Sequence, residues 1–168
     1  MSVAAVVLAA GAATRYGSPK QNELLPAVLA ALAETDLAQV VLVEGAHPLE
    51  PGSEPGPGVS VVPCEAWSRG PGASLRCGLA ALEPEVTHAL VVLADGPDLD
   101  PRAVARVVEH RVDAPVVAAT YDGARSHPVV LARAVWATVP DEGARALEPT
   151  LVDCRDLRPP GDVDYPAS

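Results

Sequence analysis

Two cations and a run of small residues follow the first apolar segment of this 168-residue chain. Gly11 permits a sharp turn, the backbone amides after it can face an anion, and Arg15 and Lys20 add positive charge. The spacing differs from that of a P-loop, in which a lysine directly follows the second glycine, and from the GxGxxG dinucleotide fingerprint. The segment is therefore a candidate phosphate-binding loop. The alternative is an ordinary glycine turn with two solvated cations.

Carboxylates occur in two further places. Asp95 directly follows an apolar run, where an unpaired carboxylate is costly and is often a cation ligand. Asp162 and Asp164 form a second pair near the carboxyl terminus. Carboxylate-held magnesium and nearby cations together suit phosphoryl or nucleotidyl transfer, because they stabilise charge on phosphate oxygens and on a leaving pyrophosphate. The alternatives are a loop or capping acid for Asp95 and an acidic tail for the pair.

Strand-like and helix-like segments alternate along the chain and must position these side chains. Apolar or β-branched runs predict strands over residues 3–10, 39–43, 59–62, 89–94, 115–120, 129–131 and 151–153. Helices are predicted over residues 24–33, 73–82, 101–111, 133–138 and 141–147, with Asp100 as the N-cap of the third and Pro101 as its first residue. Residues 51–58 are predicted to be a surface loop, and Asp122-Gly123 a tight turn.

This alternation predicts an α/β fold, a three-layer Rossmann-like domain with a mostly parallel mixed sheet. The length and the lack of an internal linker predict one domain over residues 1–168. Ligands of such sheets bind beyond the carboxyl ends of the strands. The site is therefore expected after Ala10 and Ala94, with the end of the strand at Val62 as a further candidate.

Composition excludes several partner classes. The formal net charge of −10 argues against nucleic acid and against an anionic membrane surface. No apolar stretch is long enough to span a bilayer, and the amino terminus lacks the basic start of a signal peptide. A cytoplasmic protein is expected. The three cysteines, Cys64, Cys77 and Cys154, show no CxxC spacing, so we expect three small buried thiols with neither disulfide nor zinc.

At this point the sequence resembles the MobA/MocA-like nucleotidyltransferases, which include the molybdenum cofactor cytidylyl- and guanylyltransferases. The resemblance recurs in order along nearly the whole chain. It is carried by Leu8-Ala9-Ala10-Gly11 with Arg15, Gly17 and Lys20; by Trp67, Gly70, Ser74-Leu75 and Gly78-Leu79; by Leu93-Ala94-Asp95 with Pro97; by His127-Pro128-Val129; by residues 141–147; and by Asp162-Val163-Asp164 with Pro166.

The resemblance implies a magnesium-dependent enzyme that transfers NMP from an NTP to a phosphorylated acceptor such as molybdopterin and releases pyrophosphate. Leu8, Ala9, Ala10, Gly11 and Ser74 would line the nucleotide. Arg15 and Lys20 would meet its triphosphate. The Ala9-Ala10-Gly11 version resembles the cytidylyl branch, so CTP is the favoured donor.

The same resemblance implies Asp95 and Asp164 as the magnesium ligands, with Arg15, Lys20 and Asp95 as the catalytic set. His127 and Pro128 would face the acceptor. From the residues alone, the favoured interpretation of His127 is a turn residue before a proline, and only the motif indicates a role at the acceptor.

The chain departs from the family pattern in places. The loop after Lys20 is shorter than is usual, Gly96 stands for a glutamine, and Ser126 stands for the glycine before His127. These differences motivate two alternatives: a non-catalytic nucleotide-binding relative, and a transferase that acts on a different small phosphate acceptor.

Overall fold

A computed structural model describes the chain over residues 2–9, 20–46, 48–49 and 58–161, with the side chains of the first helix described from Glu23 onward. The strands are β1 (Ser2–Ala9), β2 (Val40–Glu44), β3 (Val59–Pro63), β4 (Val86–Leu93), β5 (Val116–Tyr121), β6 (Ala124–Ala132) and β7 (Thr150–Asp153). The α-helices are α1 (Lys20–Ala33), α2 (Pro71–Ala80) and α3 (Pro101–Glu109). Short 3₁₀ helices span Glu65–Arg69, Arg133–Thr138 and Ala144–Ala146.

The strands form one sheet in the order β3-β2-β1-β4-β6-β5-β7. β6 is antiparallel to both of its neighbours, β4 and β5, whereas every other pairing in the sheet is parallel. The carboxyl ends of β1 and β4 therefore meet the amino-terminal part of β6 at one edge of the sheet.

The core lies on both faces of this sheet, because alternate residues of each strand point to opposite sides. In β1, Val3, Ala5 and Val7 belong to the cluster that α1 and α3 cover, while Ala4 and Val6 belong to the cluster under α2. Burial on both faces explains why β1 and β4 are continuous apolar runs.

The predicted α/β class and mostly parallel sheet are confirmed. Asp100 caps α3 as predicted, accepting a hydrogen bond from the Arg102 amide at 2.8 Å. Asp122 and Gly123, with φ of 51° and 81°, form the predicted turn between β5 and β6. Two positive φ angles suit the right-handed twist of a tight hairpin.

Two predicted elements are wrong in extent, and a third, the helix over residues 133–138, has the predicted bounds but another helix type. The sixth strand runs over nine residues, Ala124–Ala132, instead of residues 129–131, because the hairpin turn carries the polar residues after it into the sheet. The predicted helix at 133–138 is a 3₁₀ helix, and the one at 141–147 is reduced to Ala144–Ala146. The predicted loop at 51–58 lies outside the described residues except for Gly58.

The cysteine prediction is also wrong for two of the three residues. Cys64 and Cys77 form a disulfide with their Cα atoms 5.9 Å apart, since the chain after β3 folds back onto α2. Close approach in space, which the separation along the chain does not reveal, makes the bond possible. Cys154 is a buried free thiol, as expected, and burial raises its pKa. Among the described residues, no helix is long and apolar enough to cross a membrane.

Gly78→Val tests how tightly α2 lies on the sheet. A Cβ at Gly78 would lie 2.5 Å from Val6 Cγ1 and 2.8 Å from Val43 Cγ2, and β-branched side chains in strands have little freedom to move away. We expect the free energy of unfolding in urea to fall by about 1–3 kcal/mol or more. Ala80→Val, at an exposed position of the same helix, is the control and should cost at most about 0.7 kcal/mol. Equal losses in the two variants would contradict the packing argument.

Candidate functional site

A cavity of about 550 Å³ opens where β1 and β4 end and β6 begins. Leu8 of β1 and the last residues of β4 form its floor, and the backbone joins the two strand ends through the Ala94 amide, which donates to the Leu8 carbonyl at 3.0 Å. The lining described is Leu8, Pro71, Leu75, Val91, Val92, Leu93, Gly96, Leu99, Arg125, Ser126, His127, Val129, Glu142, Gly143, Ala144, Arg145, Pro159, Pro160 and Gly161. This is the edge at which parallel α/β sheets bind ligands.

A β-bulge in β6 directs His127 to the cavity. Ala118 of β5 pairs with Val129 and Ala119 pairs with Ser126, so two residues of β6 have no partner on β5. These residues are His127 and Pro128, which are joined by a cis peptide bond. Bulges re-aim side chains beside functional sites. The bulge places His127 in the lining, while Pro128 is buried and outside the lining.

The environment of His127 keeps its imidazole neutral. Burial, assisted by the positive charge of Arg125, lowers the pKa of His127 from 6.5 to about 4. The backbone carbonyl of His127 accepts a hydrogen bond from Tyr121 Oη at 2.9 Å, which fixes the bulge. A neutral imidazole can both donate and accept one hydrogen bond.

A backbone contact between α2 and residues 140–143 builds the opposite wall. The Gly72 amide donates to the Asp141 carbonyl at 2.9 Å. A Cβ at Gly72 would lie 1.6 Å from the Pro140 carbonyl oxygen, and one at Gly70, whose φ is 133°, 2.4 Å from the Asp141 oxygen. Only glycine permits this approach. The contact presents Pro71 and Gly143 side by side in the lining.

Ionic contacts fasten the same two segments. Arg76 of α2 donates to an oxygen of the Asp141 carboxylate and, at 2.7 Å, to the Val139 carbonyl. Arg69 lies 3.4 Å from the other Asp141 oxygen. The Arg76 side chain, through its hydrogen bond, lowers the pKa of Asp141, and the charge of Arg69 acts in the same direction. The carboxylate thus ties the loop to α2.

Asp95 lies two residues beyond the end of β4 and is partly exposed. The loop that it begins packs against the last described segment of the chain. The Asp98 amide donates to the Pro160 carbonyl at 2.9 Å, and a Cβ at Gly96 would lie 3.1 Å from Pro160 Cβ. Gly161, the last residue of the described range, therefore lies beside Gly96, the residue that follows Asp95.

Ser74 lies in the first turns of α2, next to the cavity residue Leu75, and is fully buried. Its hydroxyl has no hydrogen-bond partner within the described structure. A buried hydroxyl without a partner is costly, so this position calls for a polar group that the described part of the chain does not supply.

Several predicted site residues are placed and several are not. Leu8 and His127 line one cavity, Ala9 ends β1, and Lys20 begins α1. Ala10, Gly11, Arg15, Asp162 and Asp164 lie outside the described residues. Within the described ranges, no group of three or more metal-ligating side chains forms.

Two arginines of the lining, Arg125 and Arg145, have no role that the sequence alone predicts. Arg125 follows the hairpin turn and donates to the carbonyls of Ala144 and Leu147, each at 2.8 Å. Arg145 belongs to the family motif at residues 141–147. Its place in the cavity lining could not be predicted, because it depends on the fold that brings this segment to β6.

The chain is similar to a known protein family and to several solved structures. A sequence model of the MobA-like NTP transferase domain matches residues 5–150. No curated protein is similar in sequence to the chain. The crystal structure of Rv0371c from Mycobacterium tuberculosis H37Rv has a TM-score of 0.78 and 26% identity over 98% of this chain and 94% of that chain.

Two further structures share the fold. The complex of Rv0371C with manganese, from the same organism, has a TM-score of 0.67 at 24% identity, covering 91% of this chain and 89% of that one. The 2-C-methyl-D-erythritol 4-phosphate cytidylyltransferase of Thermus thermophilus has a TM-score of 0.64 at 19% identity, with coverage of 91% and 89%. With the family model matched over residues 5–150, the chain belongs to the MobA-like NTP transferase domain family, whose chemistry is nucleotidyl transfer.

Proposed function

We propose that the protein is a magnesium-dependent nucleotidyltransferase that transfers NMP from an NTP, with CTP favoured, to a phosphorylated acceptor such as molybdopterin. The main support for this proposal is the cavity, because one lining contains Leu8 at the end of β1, Gly96 beside Asp95, and His127 of the bulge. In the reaction, an oxygen of the acceptor phosphate attacks the α-phosphorus of the NTP. The bond to the β-phosphate breaks, and pyrophosphate leaves.

The donor side is proposed at the end of β1. α1 begins at Lys20, so residues 10–19 connect the carboxyl end of β1 to the amino end of a helix. Backbone amides and the helix dipole at such a junction favour anions. Ala10 and Gly11 would pass close to the nucleotide, while Arg15 and Lys20 would bind the triphosphate and stabilise charge on the leaving pyrophosphate.

Asp95 and Asp164 are proposed to hold the metal. Magnesium takes one or two carboxylates and keeps phosphates and waters as its other ligands, which suits this pair. Asp164 is three positions after Gly161, a span of at most about 11 Å, and Gly161 packs beside Gly96, so a pairing of Asp164 with Asp95 is within the reach of the chain. A divalent ion bound there supplies positive charge to the phosphate oxygens. The manganese complex of Rv0371C supports a divalent ion in general.

Ser74 and His127 are proposed to complete the two halves. The Ser74 hydroxyl, buried and without a partner in the described structure, would hydrogen-bond the nucleotide. The neutral His127 imidazole would hydrogen-bond the acceptor, with Pro128 shaping the bulge beneath it.

The proposal extends to the setting of the enzyme. Residues 1–168 would form one domain, working in the cytoplasm on small molecules without nucleic acid or membrane. The acidic net charge of −10 supports this exclusion, because both of those surfaces are anionic.

Nucleotide binding is the first test. In a thermal-shift screen of the four NTPs, CTP with magnesium should stabilise most, by about 2.7 kcal/mol at 100 times its dissociation constant. Pyrophosphate release is then measured with a panel of phosphate monoesters that includes molybdopterin. Asp95→Asn and Lys20→Ala should each lower turnover by about 10²-fold or more, because each removes charge that the transition state needs.

Asp100→Asn is the matched control, since asparagine caps a helix as well as aspartate does. Its turnover should equal that of the wild type. Unchanged turnover in Asp95→Asn and Lys20→Ala would refute the assignment. Binding of CTP without pyrophosphate release for any acceptor would instead identify a non-catalytic nucleotide-binding relative.

Ser74→Ala separates binding from stability. Because the hydroxyl has no partner in the described structure, its removal should leave the melting temperature of the unliganded protein unchanged or higher. The affinity for CTP with magnesium, measured by calorimetry, should fall about 2- to 10-fold. Ser60→Ala, at an exposed position of β3, should change neither quantity. A loss of unliganded stability with full CTP affinity would show that the hydroxyl is structural.

His127 should make the stability of the fold depend on pH. Its pKa is about 4 in the folded protein and 6.5 ordinarily, so the unfolded chain binds a proton that the folded protein does not. The free energy of unfolding should therefore fall as pH is lowered from 6.5 towards 4. In His127→Gln this decline should be shallower. Denaturation curves at several pH values measure it, and identical slopes would contradict a buried neutral imidazole.

A further inference from the structure

The cavity has an apolar interior and few charged groups. Leu75, Leu99 and Val129 contribute aliphatic surface, and prolines close the side nearest the carboxyl terminus. The ionisable side chains of the described lining, apart from His127, are Arg125, Arg145 and Glu142.

The guanidinium of Arg125 is occupied by hydrogen bonds within the protein. Its guanidinium donates to the Ala144 and Leu147 carbonyls at 2.8 Å each and to the Arg145 carbonyl at 3.3 Å. These bonds pin the 3₁₀ helix Ala144–Ala146 to β6. Gly143, at the other end of this segment, packs against Pro71. The backbone that carries Arg145 is thus held from two sides.

The guanidinium of Arg145 is available to bind a ligand. Among the arginines that the structure describes, it is the one whose guanidinium makes neither a hydrogen bond nor an ion pair. Exposed arginines elsewhere, such as Arg102, Arg155 and Arg158, each lie beside an aspartate. In a chain with 22 acidic side chains against 12 basic ones, an arginine on a fixed wall without a partner in the described structure is an exception.

From this arrangement we infer that Arg145 is a specificity-determining residue that binds the phosphate of the acceptor, and that the acceptor is a phosphate monoester whose body presents apolar surface to the cavity. The inference rests on the proposed function and assigns one residue of the same cavity. A guanidinium matches two phosphate oxygens at once, which fixes the orientation as well as the charge of the group. The aliphatic lining would cover the body of the molecule.

Glu142 affects which acceptors Arg145 can bind. Its carboxylate lines the same cavity and makes no ion pair with Arg145 in the described structure. A carboxylate beside a phosphate site repels the anion. Glu142 therefore favours acceptors whose negative charge is confined to the group bound by Arg145.

The test uses phenyl phosphate, which joins an apolar ring to a phosphate monoester, with inorganic phosphate and phenol as its separate parts. Calorimetry on the full chain should show that phenyl phosphate binds more tightly than either part. Arg145→Gln should weaken phenyl phosphate about tenfold or more, and Arg145→Lys should give an intermediate affinity because it keeps the charge but not the fork. Glu142→Gln should strengthen binding severalfold.

Arg155→Gln is the matched control, because Arg155 is exposed, paired with Asp153 and outside the cavity lining. It should leave phenyl phosphate binding unchanged. Circular dichroism verifies that every variant is folded. Wild-type affinity in Arg145→Gln, or equal loss in Arg155→Gln, overturns the assignment of Arg145. Equal affinity for inorganic phosphate and phenyl phosphate, or no binding of phenyl phosphate to the wild type, overturns the apolar acceptor.

The same variants are titrated with CTP and magnesium, which Arg145 does not contact under this proposal. Wild-type CTP affinity in Arg145→Gln, together with weakened phenyl phosphate, supports the proposal. Loss of CTP affinity in Arg145→Gln assigns the residue to the donor side and overturns it. Failure of CTP to bind even the wild type refutes the proposed function, whereas the phenyl phosphate series still decides the role of Arg145.

Discussion

The backbone of α2 lies directly on the backbone of residues 140–141, and the cavity depends on this contact. At Gly72 the approach leaves no room for a Cβ, which would lie 1.6 Å from the Pro140 oxygen. The amide of Gly72 uses the same closeness to bond the Asp141 carbonyl. From this junction the wall continues through Gly143 to the 3₁₀ helix that Arg125 holds against β6. This wall turns the end of the sheet, where β1 and β4 finish, into an open cavity.

The site reverses the electrostatics of the protein around it. The chain as a whole carries an excess of acid, yet the carboxylate of Asp141, which precedes the lining residue Glu142, is neutralised by Arg76 and Arg69. Asp156 is paired in the same way with Arg106, which lowers the pKa of that carboxyl to about 2. Pairing acids with arginines outside the cavity leaves positive charge inside it. An anionic substrate therefore meets attraction at the cavity although the net charge of the protein would repel it.

The parts of the fold that depend on local pattern were predictable from the sequence. The doubly buried runs of β1 and β4, the Asp100 cap and the Asp122-Gly123 turn each follow from a few neighbouring residues. The edge of the sheet at which the cavity opens was also predictable, because ligands of α/β sheets bind beyond the carboxyl ends of the strands.

The missed parts depend on contacts between distant segments. The full length of β6 is not predicted, because His127 and Pro128 interrupt its apolar pattern. The structure accommodates both residues in a bulge, where the register with β5 shifts. The Cys64–Cys77 disulfide requires α2 to fold back beside β3, which no spacing rule reports. Likewise, the availability of Arg145 is a property of where its neighbours lie. An available and a committed arginine, such as Arg145 and Arg125, look alike in the sequence.

The position of β6 has a consequence for the order in which the chain folds. β4 pairs with β1 on one side, but its other side is completed only by β6, which itself pairs with β5. Until synthesis passes Ala132, the apolar strand Val86–Leu93 has an unpaired edge. Such edges recruit other chains. The nascent protein is thus exposed to aggregation until the strand that lines the cavity is made, so the element that shapes the cavity also completes the pairing of β4.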